Sequence, residues 1–420
     1  MADRDRMTRS AATASAPILL LGAAGALGSL AVHMVVPALP AITETLHISS
    51  SEAQLSISVY LVGLALGQLS AGGISDVVGR RPVLLGGIAL FALASLAAAL
   101  AGSLATLLVA RFFQALGGAG GLIAGRTIVA DSGDHREAPR RLAALSSLML
   151  ISPTIAPTIG GMIEEIGGWR TIFVVLTGAA IALWAIAFKS VPETWRRAPN
   201  VSPLRVGARL LGRWSFLRLA LSNGLLSVAL YAFLSVSPFL LIDRLDLSPK
   251  LAGFALLWIA SFAIIGTVLH RSHAVSRYAA NIGRGVALLG GMAFVASAWL
   301  LPMSPISLIA PMCLVTLGSG LSGPSILAAA ITVDRASIGT ASSIFGAIQM
   351  AMGAGGTALI AALAIDEPAM LGLIMLIAVA AAFVLLPRRM SPIDASQALS
   401  PTAIDPAALA VTQEDMPTRR

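Results

Sequence analysis

Charge is what this chain has least of. Only 11% of its 420 residues are Asp, Glu, Lys or Arg, against about a quarter in soluble globular chains. That is too little polar material to cover a water-facing surface, so a soluble domain is excluded. Lysine is nearly missing: Lys189 and Lys250 are the only two, and the net charge of +8 rests on arginine. Such basicity needs no nucleic-acid partner, because membrane proteins gather arginine in their cytoplasmic loops. One cysteine, Cys313, sits in an apolar segment and has no second thiol to pair with. No His/Cys/Asp cluster has metal-ligand spacing, and no Ser/His/Asp set falls in one polar pocket. Neither a metal, a cofactor nor an enzyme's catalytic set is therefore expected.

Apolar residues fill the space that charge leaves. They make up 57% of the chain, and the mean hydropathy is +0.87. A bilayer core takes about 20 apolar residues per helix, so a span with its loop uses about 35 residues and the length suits about twelve spans. The apolar runs fall at 17–39, 53–74, 83–101, 106–130, 141–163 and 169–188, then at 216–240, 251–270, 285–301, 306–331, 339–362 and 369–387. The first follows Arg4, Arg6 and Arg9 as a signal peptide would, but it is too long and lacks a small-residue cleavage site, so an uncleaved first helix is expected.

This predicts an all-α integral membrane protein: a tail over 1–16, six helices over 17–188, a polar linker over 189–215, six more helices over 216–387, and a disordered tail over 388–420. If the N-terminus is cytoplasmic, twenty-three loop and tail arginines and lysines fall on that side and only Arg170, Arg244 and Lys250 on the other. The bias places both termini in the cytoplasm of a cell whose inner (plasma) membrane holds the protein. The halves also read as a distant repeat. Gly79-Arg80 is matched by Gly283-Arg284, Asp131 by Asp334, and Ser146-Ser147 with Gly160 by Ser342-Ser343 with Gly356. Two such halves can rock against each other.

Two glycine patterns are misleading. Gly120-Gly-Leu-Ile-Ala-Gly125-Arg126-Thr127 nearly spells a phosphate loop, and Gly318-Ser-Gly320-Leu-Ser-Gly323 a dinucleotide fingerprint. Both need a preceding strand, and both lie inside apolar helices, where glycines serve close packing.

The remaining motifs point to one family. Gly72-Gly-Ile-Ser-Asp76-Val-Val-Gly79-Arg80-Arg81-Pro82 follows the second run. A glycine turn, an acid and two arginines at a helix end can latch onto neighbouring helix termini and lipid phosphates. The stretch resembles the major facilitator signature between helices 2 and 3, with Val77 where the family usually has a basic residue. Arg111-Phe-Phe-Gln114-Ala-Leu-Gly117 in helix 4 is close to the family's Arg-x-x-Gln-Gly pattern. Arg111 is either a functional buried charge or a side chain that snorkels to the interface. Ala156-Pro157-Thr-Ile-Gly160-Gly161 in helix 5 resembles the antiporter signature Gly-Pro-x-x-Gly-Gly, with Ala156 for its first glycine. There the proline bends the helix and the glycines admit a close neighbour.

Met34-Val-Val-Pro37-Ala-Leu-Pro40, Gly67-Gln68-Leu, Ala124-Gly-Arg126-Thr-Ile-Val-Ala-Asp131, Tyr231 through Ser237-Pro238-Phe239, and Gly339-Thr-Ala-Ser-Ser narrow the resemblance. They are similar to the bicyclomycin/chloramphenicol-resistance (Bcr/CflA) branch of twelve-helix drug:proton antiporters.

The resemblance implies two pseudo-symmetric six-helix halves, with helices 1, 4, 7 and 10 around a cavity. It implies a proton-coupled exporter of small amphipathic compounds, working without ATP and expected as a monomer. The alternative is a carrier for a natural metabolite, in either direction, with weak or no proton coupling. Asp76, Gly79, Arg80, Arg81, Arg126 and Asp131 are candidates for a conformational latch, in which Asp76 meets the start of helix 11 near Gly339. His33, Arg111, Gln114 and Tyr231 are candidates for cavity and coupling. No Asp or Glu lies within the apolar runs away from their ends, and Glu164 and Glu165 fall at the outer mouth of helix 5. Neutral or anionic substrates are therefore expected over cations. In helix 1, His33 stands where the branch usually has an aspartate. Either it carries the proton or it merely hydrogen-bonds a neighbour.

Overall fold

The computed structural model describes residues 17–131, 138–195, 203–272 and 278–386. Both tails and the middle of the linker lie outside these residues. Twelve helices among them are long and apolar enough to cross a membrane. They are α1 Ile18–Leu46, α2 Ser50–Val78, α3 Arg80–Ala99, α4 Leu104–Ala130, α5 Arg140–Gly167 and α6 Trp169–Ser190, then α7 Trp214–Arg244, α8 Pro249–His270, α9 Ala279–Leu300, α10 Pro305–Asp334, α11 Ile338–Ala362 and α12 Pro368–Leu385.

The apolar runs stop short of several helix ends because polar caps extend them. Ser49 and Glu52 form a capping box ahead of α2, Ser103 and Thr106 ahead of α4, and Ser304 and Ser307 ahead of α10; Ser248 caps α8. Each hydroxyl accepts an N–H that the first turn leaves unpaired. Two helices are distorted at matching places. Pro37 opens a 3₁₀ turn at Val36–Ala38 within α1, and Pro238 precedes a wide turn at Phe239–Arg244 in α7.

The packing is that of a repeated unit. In the first half α3 packs on α4 and α6, α4 on α2, and α1 on α5; in the second half α9 packs on α10 and α12, α10 on α8, and α7 on α11. Adding six to each helix number turns the first set into the second. The halves meet along α2–α11 and α5–α8, and the same shift exchanges these two seams. In the first seam the Ser58 and Thr357 hydroxyls hydrogen-bond at 2.7 Å with both residues buried. In the second, the Thr158 hydroxyl donates to the Gly253 carbonyl at 3.1 Å.

Close approach explains the helix-5 glycines. A Cβ at Gly160 would collide with the Met34 carbonyl of α1, and one at Gly161 with the Pro249 carbonyl of α8. At this end of the molecule, where arginine is scarce, Val36–Ala38 also touches α7 and α8. The arginine-poor end is thus closed by contacts across the halves.

The linker is more ordered than its polar composition suggests. Pro203–Leu211 is a helix packed on α7 and α11, with Val206 and Leu210 buried one turn apart and Arg205 and Arg209 exposed. A four-residue apolar spacing is enough to seat one short helical face.

Candidate functional site

Arg111 sits on α4 with none of its surface exposed, so it does not snorkel. Its Nη1 donates to the Ala31 carbonyl of α1 at 3.1 Å and to Gln114 Oε1 at 2.7 Å. Gln114 in turn donates to the Ser95 hydroxyl of α3 at 2.8 Å. The guanidinium lies 3.9 Å from the Tyr60 ring centre and 5.8 Å from that of Phe173. Aromatic faces attract a cation most where water is excluded. Arg111 Nε and Nη2 have no hydrogen-bond partner, and among the described residues no carboxylate pairs with this arginine. A buried cation held by π faces, one backbone carbonyl and a side-chain amide, with donors to spare, is costly to keep in a membrane helix.

His33 lies on α1 two residues beyond Ala31, with 7% of its surface exposed. Its Nδ1 bonds the Ser29 carbonyl one turn back at 2.8 Å. Its ring centre is 6.2 Å from that of Tyr231 on α7. Tyr231 is 5% exposed, and its hydroxyl reaches only the Met350 sulfur of α11, at 3.9 Å. The four cavity candidates therefore form two contacts joined through α1: Arg111 with Gln114 inside the first half, and His33 with Tyr231 across the halves. Tyr60 adds to the first. Its ring supports Arg111, and its hydroxyl donates to the Gly28 carbonyl at 2.8 Å. Nothing in the sequence pattern set Tyr60 apart from an ordinary core aromatic.

A second cluster lies at the arginine-rich end. Arg80 pairs with Asp76 one turn earlier and, through Nε, with Asp131 at the end of α4 at 2.9 Å; its Nη1 also donates to Ser75 at 3.1 Å. Gly79 makes the turn possible with a φ of 109°, a region that side chains disfavour. Arg81 turns away to the Phe188 carbonyl at 2.7 Å, over the Phe188 ring. Arg126, half-buried, makes no ion pair among the described residues.

The contact expected between Asp76 and α11 is not made in this state. The Asp76 side chain is 43% exposed and occupied by Arg80, and a side chain at Gly339 would meet open space. The Ser58–Thr357 and Gln68–Gly346 contacts run at a constant antiparallel register. Continued along the helices, that register brings Asp76 level with the start of α11.

Two residues missed in the sequence complete this cluster. Glu193 accepts the backbone N–H groups of Arg80 and Arg81 at 3.0 and 3.2 Å, and the Trp195 indole donates to the Asp76 carbonyl at 2.9 Å. An acid at a helix start and a donor at a helix end satisfy the groups those termini leave bare. The only sequence signal was an acidic residue soon after the sixth apolar run.

The model of the Major Facilitator Superfamily matches residues 21–360. The chain belongs to that superfamily. It is 31% identical over 367 residues to an uncharacterized transporter of Rickettsia bellii, covering 82% of this chain and 90% of that one. It is 32% identical to a chloramphenicol resistance protein of Pseudomonas aeruginosa, covering 72% and 74%. Its fold is similar to the crystal structure of a D-xylose-proton symporter, with a TM-score of 0.70 over 88% of this chain and 97% of the other at 15% identity. As a major facilitator transporter it is a multi-pass membrane protein that moves small molecules.

Proposed function

We propose that the protein exports small amphipathic compounds in exchange for protons, as a monomer in the inner membrane with both termini cytoplasmic. The observation that carries this reading is the buried site itself. It holds a fixed guanidinium without a carboxylate and, across the halves, a histidine beside a tyrosine. Histidine is the side chain that changes charge near neutral pH. His33 takes a proton from the acidic exterior and yields it to the cytoplasm as the halves rock about their two seams. Arg111 biases the same site towards neutral or anionic compounds. The similarity to a chloramphenicol resistance protein supports a drug as cargo.

The Asp76, Arg80, Arg81 and Asp131 cluster, with Gly79 as its turn and Arg126 nearby, acts as the latch. When the arginine-rich end closes, Asp76 receives the positive start of α11. The Pro157, Gly160 and Gly161 stretch keeps α5 close enough to α1 and α8 to seal the opposite end.

A second reading rests on the Ser29 bond to His33. A histidine that only braces its own helix leaves proton coupling weak or absent, as suits a metabolite carrier. One pair of measurements separates the readings. A resistance screen in an efflux-deficient host finds the cargo, and substrate-driven proton release is then compared in vesicles for wild type, His33→Ala and His33→Asp. Release that vanishes in His33→Ala and returns in His33→Asp supports exchange through this position. Undiminished release in His33→Ala removes the histidine from the mechanism.

A further inference from the structure

Between α3 and α4, at the arginine-poor end, the surface is hollowed into a groove of about 670 Å³. Leu93 and Leu100 make one wall, Val109 and Phe113 the other; each pair recurs at helical spacing and all four side chains are exposed. The small side chains of Ala97 and Ala105 leave the space between the walls open, and a Cβ at Gly102 in the turn would meet nothing. From Leu100 at the turn to Leu90 at the inner limit is ten residues, about 15 Å at the helical rise. A bilayer core is about 30 Å thick, so the groove is one leaflet deep. Its one polar side chain is already spent: the Thr106 hydroxyl donates to the Ser103 carbonyl at 2.8 Å and accepts the Ser103 N–H at 3.2 Å. A polar compound finds nothing to bond inside it.

The chemistry changes at the rim. Ala101 closes the groove, and its carbonyl accepts a hydrogen bond from Arg170 Nη2 at 2.9 Å. The same guanidinium lies 4.2 Å from the centre of the Trp169 ring. At this end Arg244 is neutralised by Asp366 and Glu367, each at 3.1 Å. Arg170 makes no ion pair among the described residues, and its one hydrogen bond leaves four of five N–H donors unspent. Tryptophan at a span's end marks headgroup level, and a guanidinium fork matches phosphate oxygens.

We propose that the groove is a binding site for one phospholipid of the leaflet at the arginine-poor end. One acyl chain lies between α3 and α4, and the phosphate diester accepts from Arg170. The lipid thereby braces α6, which carries the arginine, to the α3–α4 pair. The inference needs only the membrane-spanning fold, so it stands apart from the choice of cargo and of coupling ion. A second apolar groove, lined by Trp258, Phe262 and Ala310 among others, runs between α8 and α10. No arginine or lysine lines it or hydrogen-bonds its walls among the described residues, so it has acyl-chain chemistry without a phosphate partner.

The test strips the full chain of lipid in a mild detergent and follows its melting temperature as lipid is returned. Three probes separate the parts of the ligand: phosphatidylglycerol, dioleoylglycerol with chains and no phosphate, and inorganic phosphate with no chain. Phosphatidylglycerol should raise the melting temperature along a saturable curve, with one lipid retained in native mass spectra. Dioleoylglycerol should need at least about tenfold more for the same effect, and inorganic phosphate should have none. Arg170→Gln should move the phosphatidylglycerol midpoint to that of dioleoylglycerol, and Arg170→Lys should recover part of the difference. Ala97→Phe, which fills the groove from an exposed position, should remove the response to both lipids, while Ala310→Phe in the second groove should change nothing. If Arg170→Gln fails to fold, the dioleoylglycerol comparison and Ala97→Phe still decide. Equal midpoints for the two lipids, an unmoved midpoint in Arg170→Gln, a full response in Ala97→Phe, or the same loss in Ala310→Phe would mean unspecific annular lipid only and overturns the inference.

Discussion

Glu193 caps the helix that begins at Arg80, its carboxylate accepting the Arg80 backbone N–H at 3.0 Å across 113 residues of chain. The start of the linker is thereby pinned to the turn between α2 and α3. Glu193→Ala should lower the melting temperature in nanodiscs by an amount equivalent to about 1 kcal/mol, the usual value of a helix cap. Glu193→Gln, which keeps an acceptor, should lose less. Identical melting of the alanine variant and wild type would show that the cap contributes nothing.

Arg80 holds Asp76 and Asp131 at once, so the two acids are coupled through a shared partner. Asp76→Ala should reach the membrane in normal amount and transport poorly. In a double-mutant cycle on flux, Arg80→Gln and Asp131→Asn should be non-additive by at least about 0.5 kcal/mol. Strict additivity would mean that each charge is solvated on its own.

Gly160→Ala and Gly161→Ala each place a methyl group against a backbone carbonyl of another helix. Backbone gives way less easily than a side-chain tip, and overpacking of this sort costs about 1–3 kcal/mol. Both variants should melt earlier and lose flux. Gly178→Ala on α6, where the new group meets open space, should behave as wild type. Equal tolerance at all three positions would argue that α5 is free to back away from α1 and α8.

Arg111 is a buried guanidinium inside the first half, and among the described residues no carboxylate pairs with it. Ethidium efflux by wild type should therefore be at least about tenfold slower than that of a neutral antibiotic, and Arg111→Gln should narrow the gap. Strong ethidium efflux by wild type would contradict this reading of Arg111.

Much of the architecture was legible because bilayer physics writes in long words. The twelve apolar runs speak at the scale of a helix, and twelve helices long and apolar enough to cross a membrane are found among the described residues. The Arg80–Asp76 pair is legible as a one-turn spacing. Glu193 and Trp195 were not, since their partners lie more than a hundred residues away and nothing local in a polar linker marks a capping acid. The burial of Arg111 was half legible: its place in an apolar run implied a buried or a snorkelling charge, and only the rings of Tyr60 and Phe173 decide between them. The expected contact of Asp76 with α11 is not made here, because Arg80, one turn away, already holds the acid.

The two seams that join the halves have a consequence for descent. Shifting every helix by six turns α2–α11 into α8–α5, so each seam is the other viewed from the opposite half. A six-helix chain bearing only one such pair of complementary surfaces, its second helix fitting the fifth helix of another copy, would close on itself about a twofold axis and form both seams at once. Joining two copies end to end through the linker changes neither surface. It frees each to diverge, and a histidine on one half with a tyrosine on the other is the kind of asymmetry that a homodimer could not have held.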